Sequence, residues 1–193
     1  SLFVKNRKKF TEKMQPKSMA IFNSNDIYPV SSDSTLPFAQ HRDIFYLSGV
    51  DQEESILLIF PDAYKEEHRE ILFLRETNEH IAIWEGEKLT KEKATEVSGV
   101  KSVFWLSDFD RIFYNLMNEA ENIYLNRNEH YRAVLEVQTR EDRFIERVKK
   151  EFPLHEILRS NPILQHLRSI KEPEEIALMQ KACDITEKGI RRL

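Results

Sequence analysis

The residue types that carry out most protein chemistry are scattered along this sequence of 193 residues. No two of its six histidines are three or four positions apart, so no two share a helix face as metal ligands would. The adjacent acidic pairs at 53–54 and 66–67 diverge on a helix or strand, which disfavours a two-carboxylate acid–base site. We therefore expect surface positions for the histidines and solvated turns for the acidic pairs. The histidines are His41, His68, His80, His130, His155 and His166.

The sequence also gives no support for a nucleophilic site. It lacks the G-x-S-x-G pattern of a serine nucleophile and any glycine-rich phosphate loop. Its single cysteine, Cys183, excludes an internal disulfide and a cysteine-based zinc site. Cys183 falls on the apolar stripe of a predicted helix, where we expect a packed thiol rather than a nucleophile.

Charge and hydropathy disfavour several classes of partner. A net charge of -4 and a pI near 5.9 do not provide the basic face that nucleic acid or an acidic membrane requires. No apolar run approaches the length that spans a bilayer, and the first ten residues lack the apolar stretch of a secretion signal. We therefore expect no nucleic acid partner, no membrane partner and a cytoplasmic location.

The elements that must position any site alternate between helix and strand. Short apolar runs predict strands, and apolar residues at helical spacing between breakers predict helices. Their order predicts an α/β domain with a mixed sheet of about six strands flanked by helices. The predicted strands span residues 19–22, 55–60 (central), 71–74, 81–84 (a hairpin with 71–74), 102–106 and 123–125; helices are predicted at 3–14, 90–98, 107–117 (with a Ser107–Asp110 capping box), from 132 onward with breaks at 153 and 161–162, and at 173–193.

Residues 31–49, SSDSTLPFAQHRDIFYLSG, fit neither a linker nor a buried strand. The first half is polar and turn-prone and contains Asp33, while the second half contains an apolar, strand-like run at 44–47. Arg42 and Asp43 could equally form an exposed ion pair of little energetic weight. For Asp33, a turn or cap role and a role beside a substrate are equally compatible with its Asp-Ser context.

Several segments of the chain resemble the N-terminal part of the Xaa-Pro aminopeptidases (aminopeptidase P), in the same order. The segment at residues 167–176 is shared with creatinase and prolidase and identifies the superfamily. Residues 33–49 favour aminopeptidase P within that superfamily. The matching segments are Asp33-Ser34, Pro37-Phe38-Ala39-Gln40, Asp43-Ile44-Phe45-Tyr46-Leu47-Ser48-Gly49, Ile83-Trp84-Glu85-Gly86 and Leu167-Arg168-x-Ile170-Lys171-x-Pro173-Glu174-Glu175-Ile176, preceded by Arg7, Phe10, Met14-x-Pro16 and Ser18.

The resemblance implies a two-domain enzyme that removes the N-terminal residue from peptides with proline in second position. It implies a metal-free N-terminal domain at residues 1–171, and residues 172–193 as the start of the first helix of a pita-bread catalytic domain. That catalytic domain would hold two divalent metals, usually manganese, so we expect this chain alone to be inactive. In the family, the segments around Asp33 and Trp84 face a substrate entrance or a neighbouring subunit. The implied partners are the chain's own catalytic domain, further copies in a homo-oligomer, and the peptide substrates.

Other interpretations remain open on the sequence alone. The same domain also occurs in relatives that hydrolyse other bonds, such as a prolidase or a creatinase-type hydrolase. A free-standing binding or scaffold module is a third class, which the helix start at residue 173 disfavours. Trp84 suits a core position as well as an interface anchor, whereas Trp105 is predicted to lie in the core.

Overall fold

Six strands form one mixed sheet in the computed structural model, which describes residues 1–78, 86–134 and 136–192. The strand order is β6-β5-β4-β1-β7-β8, and a separate two-stranded ribbon is formed by β2 and β3. The predicted fold class is therefore confirmed. The strands are β1 (Ser18–Asn23), β2 (Pro29–Ser31), β3 (Ser34–Thr35), β4 (Ile56–Ile59), β5 (Glu70–Leu74), β6 (Ser102–Trp105), β7 (Asn122–Leu125) and β8 (Glu156–Arg159); the α-helices are α1 (Leu2–Thr11), α2 (Arg42–Ser48), α3 (Lys91–Ser98), α4 (Phe109–Met117), α5 (Arg140–Glu151), α6 (Asn161–Ser169) and α7 (Pro173–Ile190).

Helices cover both faces of the sheet, so the central strands are apolar without alternation. Every residue of β1 and β4 is buried, and β4 lies between β5 and β1, which confirms the predicted central position of residues 55–60. On one face, Phe10 of α1, Ile44 of α2 and Leu164 of α6 pack in one core cluster, to which α3 also contributes. On the other face, Phe113 of α4 and Phe144 of α5 pack in a second cluster.

The predicted strand-like run at 44–47 is wrong, because these residues belong to helix α2. Ile44 and Leu47, three positions apart, are buried, while Phe45 between them is exposed, which is a helical pattern. Gly49 ends the helix in the left-handed conformation at φ 71°, and its N–H donates to the carbonyl oxygen of Phe45 at 2.7 Å. A run of four residues is too short for the sequence to separate the two periodicities.

Three further expectations need correction or lie outside the described residues. The edge strand β8 was not predicted, and the sequence instead favoured helix from residue 132 onward. Both edges of β5 are paired, with β4 and β6, and the predicted partner strand at 81–84 lies outside the described residues. Ser107 does not cap α4, because a 3-10 turn at Leu106–Asp108 precedes the helix, and Ser107 Oγ instead donates to Glu76 at 2.7 Å.

Helix α7 forms where the sequence predicts it, but it has no buried residue. Its first turn is tied to α1 by ion pairs from Lys5 to Glu174 and from Lys9 to Glu172. Cys183 is exposed on this helix, contrary to the expected packed thiol, because nothing in the described structure covers the stripe on which it lies. The domain boundary near residue 171 stays a prediction. Within the described residues, no helix has the length and apolar character to cross a membrane.

Replacing Gly49 with alanine tests the closure of α2. The left-handed conformation costs an alanine about 1–2 kcal/mol, and the added Cβ would also meet the ring of Phe3. We expect Gly49→Ala to lower the free energy of unfolding by about 2 kcal/mol or more in urea titrations. The control is Gly189→Ala, which adds a Cβ with no atom within 4 Å and should be neutral or slightly stabilising. Equal effects at the two positions would contradict this account.

Candidate functional site: an exposed hairpin beside a polar cavity

The ribbon of β2 and β3 carries Asp33, one of the two predicted site residues, in its turn. All residues of both strands are exposed, and the ribbon pairs with no other strand of the described structure. Its apolar side chains are uncovered, with Val30 62% and Leu36 55% exposed. A lone two-stranded ribbon is marginally stable in water, and exposed apolar side chains often mark contact surfaces. We call residues 27–37 the hairpin arm.

The base of the hairpin arm is held by Gln40, from the proline-aromatic-x-glutamine motif. The side chain of Gln40 is buried, and its Nε2 donates to the carbonyl oxygens of Val50 at 3.1 Å and Gln52 at 2.9 Å. Its Oε1 accepts from the backbone N–H of His41 at 2.8 Å. The arm therefore leaves the domain at a fixed place, although its tip is free.

Trp84, the other predicted site residue, lies outside the described residues. The described chain on both sides of Trp84 is bound to the turn that precedes β4. Arg75 forms an ion pair with Glu54 at 3.2 Å, and Lys88 forms one with Glu53. Glu53 is buried, whereas the sequence predicted that it lies on a solvated turn. Burial acts to raise the pKa of Glu53, but hydrogen bonds from Lys88 and the backbone lower it on balance.

A cavity of about 560 Å³ lies beside the arm, at the carboxyl ends of β1 and β7. The chain leaves β1 towards β4 on one side and leaves β7 towards β8 on the other. Crevices at such switch points are the usual ligand sites of open α/β sheets. The first turns of α2 and α5, from opposite faces of the sheet, contribute polar side chains to the cavity wall.

Asp43 brings together two motifs that are 125 positions apart in the sequence. Its buried carboxylate accepts from Arg168 Nη1 at 2.7 Å and from Asn126 Nδ2 at 3.1 Å. An exposed pair with Arg42, which the sequence left open, does not form, because Asp43 is buried and Arg42 is exposed. Only the presence of Asp43 and Arg168 in two segments of the same resemblance hinted that they meet.

His41 is mostly enclosed by the cavity wall, contrary to the surface position expected for the histidines. It is the N-cap of α2, since its Nδ1 accepts from the backbone N–H of Asp43 at 3.3 Å. This bond assigns the proton of the neutral ring to Nε2. Burial lowers the pKa of His41, and the opposing charge of Asp43 only partly offsets that effect.

Glu141 and Arg140, the first residues of α5, form the opposite wall. The carboxyl group of Glu141 is fully enclosed and accepts from the backbone N–H of Asn23 at 3.1 Å and from Asn23 Nδ2 at 2.9 Å. Burial raises the pKa of Glu141 to about 8 despite these bonds. Arg140 is largely buried, and among the described residues its guanidinium makes one hydrogen bond, from Nη1 to Ser24 Oγ at 3.2 Å. The sequence alone predicted neither residue as part of a site.

The described residues do not provide a metal site. No group of three or more histidine, cysteine, aspartate or glutamate side chains lies close enough to hold an ion in residues 1–78, 86–134 and 136–192. The two metals implied by the resemblance therefore find no ligand set in this part of the structure.

The fold agrees with comparisons to known proteins. The family model of the aminopeptidase P N-terminal domain matches residues 3–124, and the chain belongs to this family. It is 26% identical to the Xaa-Pro aminopeptidase of Escherichia coli over 185 residues, which is 95% of this chain and 42% of that protein. It is 28% identical over 187 residues to the enzyme of Haemophilus influenzae, covering 97% of this chain and 41% of that protein.

Solved structures show the same architecture. A candidate aminopeptidase P from Bacillus anthracis superimposes with a TM-score of 0.87 at 24% identity, covering 98% of this chain and 45% of that one. A low-pH form of aminopeptidase P from Escherichia coli superimposes with a TM-score of 0.76 at 27% identity, covering 96% and 42%. The chain thus spans about two-fifths of the length of the curated relatives it matches.

The buried Glu141 predicts a pH-dependent stability. Its pKa when folded lies above its ordinary value of 4.5, so between about pH 4.5 and 8 the folded state keeps a proton that the unfolded state releases. Stability is therefore lost as the pH rises through this window. Glu141→Gln cannot ionise at this position. We expect its free energy of unfolding to rise relative to that of the native protein by up to about 1.4 kcal/mol per pH unit in this window.

Urea titrations at several pH values between 5 and 9 measure this difference. The control is Glu146→Gln, which makes an exposed change on the same helix. A constant difference between Glu141→Gln and the native protein across the window would show that Glu141 ionises normally when folded.

Proposed function

We propose that this chain is the N-terminal domain of a metal-dependent Xaa-Pro aminopeptidase that removes the first residue from peptides with proline in second position. Membership of the family, the names of the relatives and the two-fifths of their length that the chain spans support this proposal. Peptide cleavage and the two divalent metals, manganese by the resemblance, belong in this proposal to a catalytic domain that follows. The proposal includes the cytoplasmic location expected from the sequence.

Helix α7 supports the presence of a following domain. It is tied to α1 by an ion pair at its start, yet its large apolar side chains are uncovered. Large apolar side chains on a helix are normally packed against other elements, because exposure to water is unfavourable. In the proposal, the catalytic domain covers the side that carries Ile176, Met179 and Ile190, while Leu178 and Ile185 are uncovered on the opposite side.

The observation that carries the domain's own role is the hairpin arm. Its base is fixed by Gln40, whereas its tip is free and its apolar side chains are uncovered. In the proposal, the arm contacts a second copy of the protein and borders the substrate entrance there. The carboxylate of Asp33 at the tip would attract the cationic amino group with which a peptide substrate begins.

Asp33→Asn in the full-length protein tests the entrance role. Asp33 is exposed and accepts no hydrogen bond from the described residues, so the substitution should leave the thermal midpoint unchanged. We expect kcat/KM for a peptide such as Arg-Pro-Pro to fall about tenfold, as for the loss of one charged contact. The matched control is Asp51→Asn, which is also exposed and lies outside the arm. Unchanged kcat/KM for Asp33→Asn would remove this residue from the entrance.

Charges on the arm test the contact between copies. We expect the double substitution Val30→Asp and Leu36→Asp to weaken self-association of the full-length protein, since two exposed apolar side chains become charged. Sedimentation velocity over a range of concentrations measures the effect. Leu154→Asp is the control, because Leu154 is 97% exposed on a distant loop. An oligomer that survives the double substitution would show that the arm is not the contact.

A further inference from the structure

The cavity beside the hairpin arm carries more positive than negative charge, although the chain as a whole has a net charge of -4. Four guanidinium groups and three carboxyl groups line it, so the positive groups are in excess even when every carboxyl is ionised. At neutral pH the excess is larger, because burial keeps one of the carboxyls protonated. The arginines are Arg42, Arg127, Arg140 and Arg168, and the acids are Asp43, Glu141 and Asp142.

Two of the acids are already neutralised by arginines within the wall. Asp43 pairs with Arg168 at 2.7 Å, and Asp142 pairs with Arg127 at 2.9 Å. Arg140 differs from both arginines, because it forms no ion pair among the described residues and is nevertheless largely buried. The carboxyl groups of Asp26, Glu54 and Glu141 attract Arg140 without contacting its guanidinium, and they offset only part of the cost of its burial. A bound anion would offset more of that cost.

Several of the unused groups that line the cavity are hydrogen-bond donors. Arg140 has five guanidinium N–H groups, of which one donates to Ser24 Oγ. His41 uses Nδ1 as an acceptor, which leaves the Nε2–H without a partner among the described residues. Arg168 uses one N–H group on Asp43, and its other N–H groups have no partner among the described residues. Guanidinium and imidazole N–H groups match the oxygens of a carboxylate or phosphate group.

We propose that this cavity binds a small organic anion, with its carboxylate or phosphate group on Arg140 and His41. A part of the wall is apolar, through Ala39, Val137 and Leu164, and suits a short aliphatic body on the same ligand. The volume of about 560 Å³ is in the range of small-molecule sites. All residues that line the cavity lie in this chain, so binding of the anion does not depend on the proposed peptidase activity.

Isothermal titration of the 193-residue chain with inorganic phosphate and, separately, with N-acetylleucine tests the proposal. We expect saturable one-to-one binding of at least one probe, and the stronger probe identifies the head group. Arg140→Met should weaken it about tenfold or more, the loss expected for a charged hydrogen bond. Arg111→Met removes the same charge from an exposed position outside the cavity and should leave the affinity unchanged.

Nuclear magnetic resonance keeps the test decisive if Arg140→Met fails to fold. Amide signals of Ser24, His41 and Arg168 in the native chain should then shift on titration, while that of Arg111 should not. No saturable binding of either probe up to about 10 mM at an ionic strength of about 0.02 M would overturn the proposal. Equal weakening by Arg140→Met and Arg111→Met, or signal shifts spread over the surface, would overturn it as well.

Discussion

The buried carboxylate of Asp43 is the interaction on which the arrangement at this end of the sheet depends. It lies in the first turn of α2, where a negative charge is favourable, and it binds Asn126 after β7 and Arg168 on α6. Removing one partner of a buried charge pair typically costs about 3–5 kcal/mol, and the 41% exposure of Arg168 places this pair towards the lower end. One carboxylate thereby fixes three elements, and with them the wall of the cavity.

The same arrangement explains how a projecting arm can have a defined direction. The arm leaves from the end of β1 and returns at Gln40, and Gln40 is bound to the turn that precedes β4. That turn also binds the described chain on both sides of Trp84, through Glu53 and Glu54. The chain segments on which Asp33 and Trp84 lie are therefore anchored to one short stretch of backbone. Neither residue has to be rigid itself for its point of attachment to be fixed.

The sequence predicted the strands whose apolar pattern follows directly from their burial. It missed the features that depend on contacts between residues far apart in the sequence. Residues 56–59 are all apolar because both faces of the sheet are covered at this strand. Such a run can be recognised in the sequence without knowing which residues cover it. The edge strand β8 is only half-buried, with charged residues at both ends, so its pattern is weak. Asp43 and Glu141 were unpredictable as buried acids, since their partners lie far away in sequence. Asp33 was singled out through resemblance, and its exposure leaves its role as a prediction.

The residues that carry the family resemblance fall into two groups: those that the fold needs for its stability, and those that it does not need. Gln40, Asp43, Gly49 and Arg168 all have contacts or backbone angles that explain their residue types by stability alone. Asp33 has no such explanation, because an exposed turn tolerates many polar residues and its side chain makes no hydrogen bond with the part of the chain that the structure describes. A residue type that folding does not require is a better candidate for contact with another molecule than a buried motif residue. Arg140 meets the same criterion from the opposite side, since the cost of burying its guanidinium exceeds the attraction of Asp26, Glu54 and Glu141, so its burial opposes folding rather than supporting it.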